Sequence, residues 1–111
     1  MSSLIRIAVD AMGGDNSPKK IVDGIIKHHL SNKYVFYKIF GDEQKINKHI
    51  DNKIKKTNFE IINTLNKVSN EDSPLEAAKR GKDTSMWLAI ESVKKKDCDI
   101  VISAGNTGAL L

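Results

Sequence analysis

The chain has 111 residues, of which 40% are apolar and 29% charged, and it carries a net charge of +4. That length and balance fit one globular domain and exclude a disordered chain, and no apolar run approaches the roughly 20 residues of a membrane-spanning helix. Aromatic residues make up only 5% and the lysines are scattered, which argues against a nucleic-acid surface.

The opening MSSLIRIAVDAMGG lacks the charged head, apolar centre and cleavage site of a signal peptide. With a single cysteine, Cys98, no internal disulfide can form, and a cytoplasmic location fits. Cys98 itself reads as a small, partly buried residue near a strand start.

Residues 4–9 form an apolar run broken only by Arg6 and read as a buried strand. Ser17 and Pro18 predict a helix start, with serine as cap and proline in the first turn. Ile21, Val22, Ile25 and His29 then share one face. His28 and His29 fall near the end of that helix, where a cation suits the dipole. Residues 34–40 predict a second strand closed by Gly41, and Asp42 is placed to cap a helix in which Ile46, Ile50 and Ile54 recur every fourth residue. Residues 58–62 suggest a third, shorter strand. Ser73, Pro74 and Glu76 combine a capping box with a first-turn proline, and Gly81 ends that short helix. Asp83 or Thr84 starts the next one, with Met86, Ala89, Ile90 and Val93 on one face and Lys94, Lys95 and Lys96 as a cationic last turn. Trp87 is expected in a core or an interface. Residues 99–103 predict a fourth strand, after which Gly105, Asn106 and Thr107 open a helix of about one turn. So short a helix is unstable alone, and a piece of a larger fold is expected.

Strands alternating with helices indicate a parallel α/β sheet with right-handed crossovers. Ligands of such sheets gather at the carboxyl ends of the strands. Two junctions there carry candidate chemistry. In VISAGNTG, residues 101–108, Ser103, Ala104 and Gly105 leave room for a ligand, and Asn106, Thr107 and Gly108 offer N–H groups and neutral side chains at a helix start. That suits a phosphate or carboxylate; a tight turn with Asn106 as cap is the plain alternative. In VDAMGGDNSP, residues 9–18, Asp10 and Asp15 would repel a phosphate placed against both. The junction also lacks both G-x-G-x-x-G and G-x-x-x-x-G-K-[ST]. Gly13 and Gly14 permit unusual dihedrals, Asp15 can cap its own loop, and Asp10 can orient a lysine, a hydroxyl or a ligand group. Two acids without a nearby histidine make a weak metal pair, and no metal is expected. A third stretch, Arg80 to Ser85, joins Arg80 and Lys82 to a hydroxyl-rich helix start, which favours an anion or is simply a solvated link.

VDAMGGDNSP, RGKDTSM and SAGNTGALL, in this order and spacing, resemble the N-terminal part of the PlsX family of phosphate acyltransferases. The resemblance covers essentially the whole chain, with strong matching confined to the three motifs. Asp83, Thr84 and Ser85 stand where the family more often shows paired serines. The resemblance implies a three-layer α/β/α fold with a mainly parallel sheet, similar to the isocitrate and isopropylmalate dehydrogenase group, of which residues 1–111 would be the N-terminal part of a single domain. It implies an enzyme in which inorganic phosphate attacks the thioester of a long-chain acyl-[acyl-carrier-protein], giving acyl phosphate for a membrane-bound glycerol-phosphate acyltransferase in bacterial phospholipid synthesis. A homodimer in loose association with the membrane surface is implied as well, with no cofactor and no nucleic-acid partner. Phosphate is its own nucleophile, so the protein must supply position and charge stabilisation. On this reading Asp10, Lys82 and Asn106 are the catalytic candidates. Gly13, Gly14, Asp15, Asn16, Ser85, Ser103, Gly105, Thr107 and Gly108 are the phosphate-binding ones, and Asp10 or Asp15 orients Lys82 or a phosphate proton. The rival readings are a phosphotransacetylase-like enzyme on a small acyl substrate and a basic anion- or nucleic-acid-binding module.

Overall fold

A computed structural model of the chain describes residues 4–64 and 84–104. Their order is β1 (Ile5–Asp10), α1 (Lys19–Ser31), β2 (Val35–Gly41), α2 (Glu43–Ile50), a single 3-10 turn (Lys56–Asn58), β3 (Phe59–Asn63), α3 (Ser85–Lys94) and β4 (Ile100–Ser103). The four strands form one parallel sheet in the order β3-β2-β1-β4. The expected α/β class and parallel sheet are therefore present, and each expected strand lies within a residue of its observed bounds.

The order has a physical consequence. From β1 the chain steps outward to β2 and β3, then returns to the far side of β1 for β4. Right-handed crossovers made in opposite directions put their helices on opposite faces. Ile7, Val9, Tyr37 and Ile39 accordingly pack with Val22 and Ile25 of α1 and Ile46 and Ile50 of α2, whereas Ala8 and Phe40 pack with Ala89 of α3 and Cys98. This is the three-layer arrangement. The last four residues of β1 are buried because both faces are covered. Ile39, Ile46 and Val22 are fully enclosed, and each such side chain contributes about 1.5–3 kcal/mol relative to exposure.

Local signals explain most boundaries. Asp42 caps α2, its carboxylate accepting from the Lys45 N–H at 3.3 Å. Thr84 caps α3 by accepting from the Trp87 N–H at 3.1 Å. Four expectations change. Ser17 does not cap α1: its hydroxyl donates to the Gly13 carbonyl, and Pro18, in the right-handed helical region, is the residue before the helix. Ile54 is buried but lies beyond α2, which stops where Asp51 turns left-handed at φ 43°. On α3 the buried face is Ser85, Met86, Ala89 and Ser92, while Ile90 and Val93 are only half-buried. The helix therefore turns small polar residues toward the sheet, where close approach matters more than apolar bulk. Of the three lysines only Lys94 is helical, with Lys95 as the cap and Lys96 left-handed beyond it. The expected helix at Ser73 to Glu76 and the one opening at Gly105 to Thr107 lie outside the described residues.

Candidate functional site at the strand-order reversal

In an open parallel sheet the crevice for a ligand opens beyond the carboxyl ends of the two strands where the order reverses. Here those strands are β1 and β4, and Asp10 stands directly opposite Ser103 in the register. Asp10 has the same parity as Ala8, so its side chain falls on the face covered by α3. There the Ser85 hydroxyl, at the first residue of α3, donates to Asp10 Oδ1 at 2.5 Å, and the Ser103 hydroxyl donates to Oδ2 at 2.7 Å. The Met12 N–H adds a bond to Oδ1 at 3.1 Å. One carboxylate thus ties together the tip of β1, the tip of β4 and the start of α3.

Burial makes this arrangement consequential. Asp10 and Ser85 are each only 1% exposed. A carboxylate withdrawn from water without partners would be strongly unfavourable, and three converging donors with the positive end of α3 offset that cost. Ser103 is half-buried, so of the three it is the one nearest to solvent.

The loop from Ala11 to Pro18 closes over the same place. The Ala11 N–H continues the ladder to the Phe40 carbonyl at 3.0 Å, after which the Asp10–Met12 bond turns the chain. Gly14 adopts φ 81°, and a Cβ there would stand 3.0 Å from the Ala104 carbonyl oxygen and 3.1 Å from its Cβ. Only a glycine fits both the dihedral and the contact. The first junction therefore rests directly on the end of β4. At Gly41 a Cβ would meet the Met12 side chain at 2.9 Å, so the tip of β2 supports the loop from the other side.

The sequence-expected residues are distributed as follows. Asp10, Ser85 and Ser103 are brought together, with Gly14 against the neighbouring Ala104. Gly13 is buried within the loop and its carbonyl is held by Ser17. Asp15 and Asn16 are exposed, and the bonds that fold the loop come from Asp10 and Ser17 rather than from Asp15. Lys82, Gly105, Asn106, Thr107 and Gly108 lie outside the described residues, as do Arg80 and Asp83. What sequence reasoning missed is the Ser85–Asp10–Ser103 bonding. Its partners are 75 and 93 residues apart, and no local spacing encodes such a pairing.

Other candidates are placed elsewhere. Trp87 is 36% exposed on the outer side of α3, with Lys94 Nζ 5.9 Å from its ring centroid, rather than in a core. Cys98 is buried just before β4, as expected. His29 is 2% exposed on the inner face of α1. Burial first, and then the charges of Lys33 and Lys55, hold its pKa below the ordinary 6.5, so it is not the cation that its helix-end position suggested. His28 Nδ1 lies 2.5 Å from the Tyr37 hydroxyl, whose own pKa is raised by burial. These groups sit at the amino end of the sheet, away from Asp10.

Among the described residues no helix is long and apolar enough to cross a membrane. The profile of the family described as "Fatty acid synthesis protein" matches residues 5–111. The chain is similar to a protein named phosphate acyltransferase from Pelagibacter ubique, with 67% identity over the whole chain and 33% of that protein's length. Proteins of the same name from Listeria innocua and Streptococcus uberis are 49% and 42% identical, each over 96% of the chain and 31% of their own length. The chain thus spans about a third of the length of the curated relatives it matches. With the three motifs meeting on one carboxylate and a profile match from Ile5 to the last residue, the chain belongs to the fatty acid synthesis protein family, the PlsX family that its motifs resemble.

Proposed function

We propose that this sequence serves a phosphate acyltransferase that makes long-chain acyl phosphate from acyl-[acyl-carrier-protein] and inorganic phosphate in bacterial phospholipid synthesis. Residues 1–111 would form the N-terminal part of its α/β domain. The observation that carries the reading is the convergence of three motifs. Asp10 and Gly14 from the first, Ser85 from the second, and Ser103 and Ala104 from the third are joined at the strand-order reversal. The identity to relatives named phosphate acyltransferase spans all three stretches.

A phosphate oxygen attacks the thioester carbonyl carbon, the carbonyl oxygen takes up the developing charge, and the carbon–sulfur bond breaks. The carrier leaves as a thiol after receiving the proton given up by phosphate. No protein nucleophile is needed, so the demand is a held oxyanion and donors aimed at the carbonyl oxygen. Strand tips and a helix start gathered at one point suit that demand. Lys82 and Asn106 remain the proposed cation and donor, with Gly105, Thr107 and Gly108 in the phosphate cradle. The enzyme would work as a homodimer at the cytoplasmic membrane surface and hand its product to a membrane-bound glycerol-phosphate acyltransferase.

The test is an assay of a chain of the relatives' length with palmitoyl-[acyl-carrier-protein] and phosphate, trapping the product with hydroxylamine. Phosphate-dependent hydroxamate is the expected result. Product from acetyl thioesters alone would favour a phosphotransacetylase, and absence of product with either would remove the reading.

A further inference from the structure

On the face of the sheet that α1 and α2 cover, an apolar groove of about 330 Å³ runs between α1 and β4. Its floor is Ile7 and Val9 of β1 with Ile102 of β4, and its wall is Ile21 and Ile25 of α1. Ile102 stands beside Val9 in the register yet is 49% exposed. The polar side chains of the lining lie at the two ends. Lys20, in the first turn of α1, is at the carboxyl end of the sheet, and the hydrogen-bonded His28 and Tyr37 bound the amino end. From Lys20 to His28 the helix rises about 12 Å. Gly24 lies midway along that wall. A Cβ built there would meet nothing within 4 Å beyond its chain neighbours and its own helix backbone. A glycine inside a helix weakens it relative to alanine, and no close contact among the described residues requires one here. What the missing side chain does is keep the groove open.

Val9 and Ile102 directly precede Asp10 and Ser103, so the groove begins one residue short of the strand-order reversal. An apolar trough of this size with a cation at its mouth suits a hydrocarbon tail joined to a polar head. We propose that the groove holds the acyl chain of the thioester substrate, the thioester standing at the strand tips and the tail running past Ile102 and Gly24 toward His28 and Tyr37. This rests on the phosphate acyltransferase reading and adds to it the residues that select chain length. Two features favour a tail over a polypeptide segment. Lys20 puts a positive charge at the end where the acyl phosphate head would form. A tail that terminates also fits a groove bounded at its far end, whereas a polypeptide has to leave again. Each methylene taken out of water in the groove strengthens binding about fourfold.

The experiment fills the groove from Gly24. In a chain of the relatives' length, kcat/KM is measured with palmitoyl- and octanoyl-[acyl-carrier-protein] for the wild type and for Gly24→Leu. The palmitoyl-to-octanoyl ratio should fall at least about tenfold in the variant, with the KM for phosphate unchanged. An unchanged ratio would overturn the proposal. A lowered thermal midpoint with an unchanged ratio would do so too, and would assign the groove to a further segment of the longer chain or to a second copy. If Gly24→Leu does not fold, the wild type decides the matter. An acyl-[acyl-carrier-protein] with a photoreactive diazirine at the tail end should label residues 20–28 or 100–102, read by mass spectrometry, and label confined to other residues would overturn the proposal. Labelled groove residues without acyl phosphate formation would count against the acyltransfer reading alone. Acyl phosphate formation with neither label nor altered ratio would count against the groove alone.

Discussion

Two buried polar groups sit at opposite ends of the sheet and are treated differently. Asp10, at the carboxyl end, meets three donors from three separate segments. His29, at the amino end, has Nε2 only 3.5 Å from the Lys55 N–H and an enclosed Nδ1 without a partner among the described residues. Both are shielded from water to the same degree. The first is held in one arrangement by its donors, while the second is held neutral by its surroundings. A fully partnered buried group fixes the geometry of what it joins, and a half-partnered one leaves the fold sensitive to proton uptake.

The strongest challenge to this contrast is Asp10→Ala. It strips two hydroxyls and a backbone N–H of their acceptor and removes the side-chain ties that join the tip of β4 and the start of α3 to β1. The expected loss is about 2–4 kcal/mol of unfolding free energy, read by urea denaturation. A loss below measurement would mean that the three segments are held together by other means. A smaller effect is expected at Gly14→Ala. The left-handed dihedral and the pressure on Ala104 together cost about 1–2 kcal/mol, and the loop at the same end should become more accessible to proteolysis.

The mildest effect concerns His29. As pH falls below 6.5 the unfolded chain takes up a proton there, whereas the folded chain, with burial and the charges of Lys33 and Lys55 set against protonation, does not. Stability is therefore complete above that value and declines as pH drops toward the lower folded value, beyond which this loss stops. The groups around the ring are Lys33, Lys55 and the edge-on Tyr37. Thermal midpoints at about pH 7.5 and about pH 5.5 should differ for the wild type and differ less for His29→Gln. An unaltered difference would show that another group carries the acid sensitivity.

Much of the fold was legible because its signals are local. The apolar runs at 4–9 and 34–40 marked strands, and Asp42 and Thr84 marked helix starts that the structure bears out. Even the burial of His29 followed from its place on the face of Val22 and Ile25. Its charge state did not, because that depends first on how completely the packed fold buries the ring and then on the charges of Lys33 and Lys55. The site was legible only as types of residue: glycines, hydroxyls and carboxylates at strand ends. Ser17 could be read as a cap because sequence does not reveal that the Gly13 carbonyl lies within reach. Asp10 could be assigned to a lysine, a hydroxyl or a ligand group, but not to the particular hydroxyls of Ser85 and Ser103, because these belong to other segments. The reversal of strand order decided those pairings, and no short stretch encodes it.

The position of β4 also bears on how the protein is made. Of the described strands β1 is synthesised before the others and lies inside the sheet, yet one of its flanks stays bare until residues 100–103 have been synthesised. Closing so long a span costs more chain entropy than joining β1 to β2, and it slows assembly. The crevice is thus completed by the last described strand, so a nascent chain halted before Ile100 would hold the β1–β2 ladder with nothing yet to close its far side.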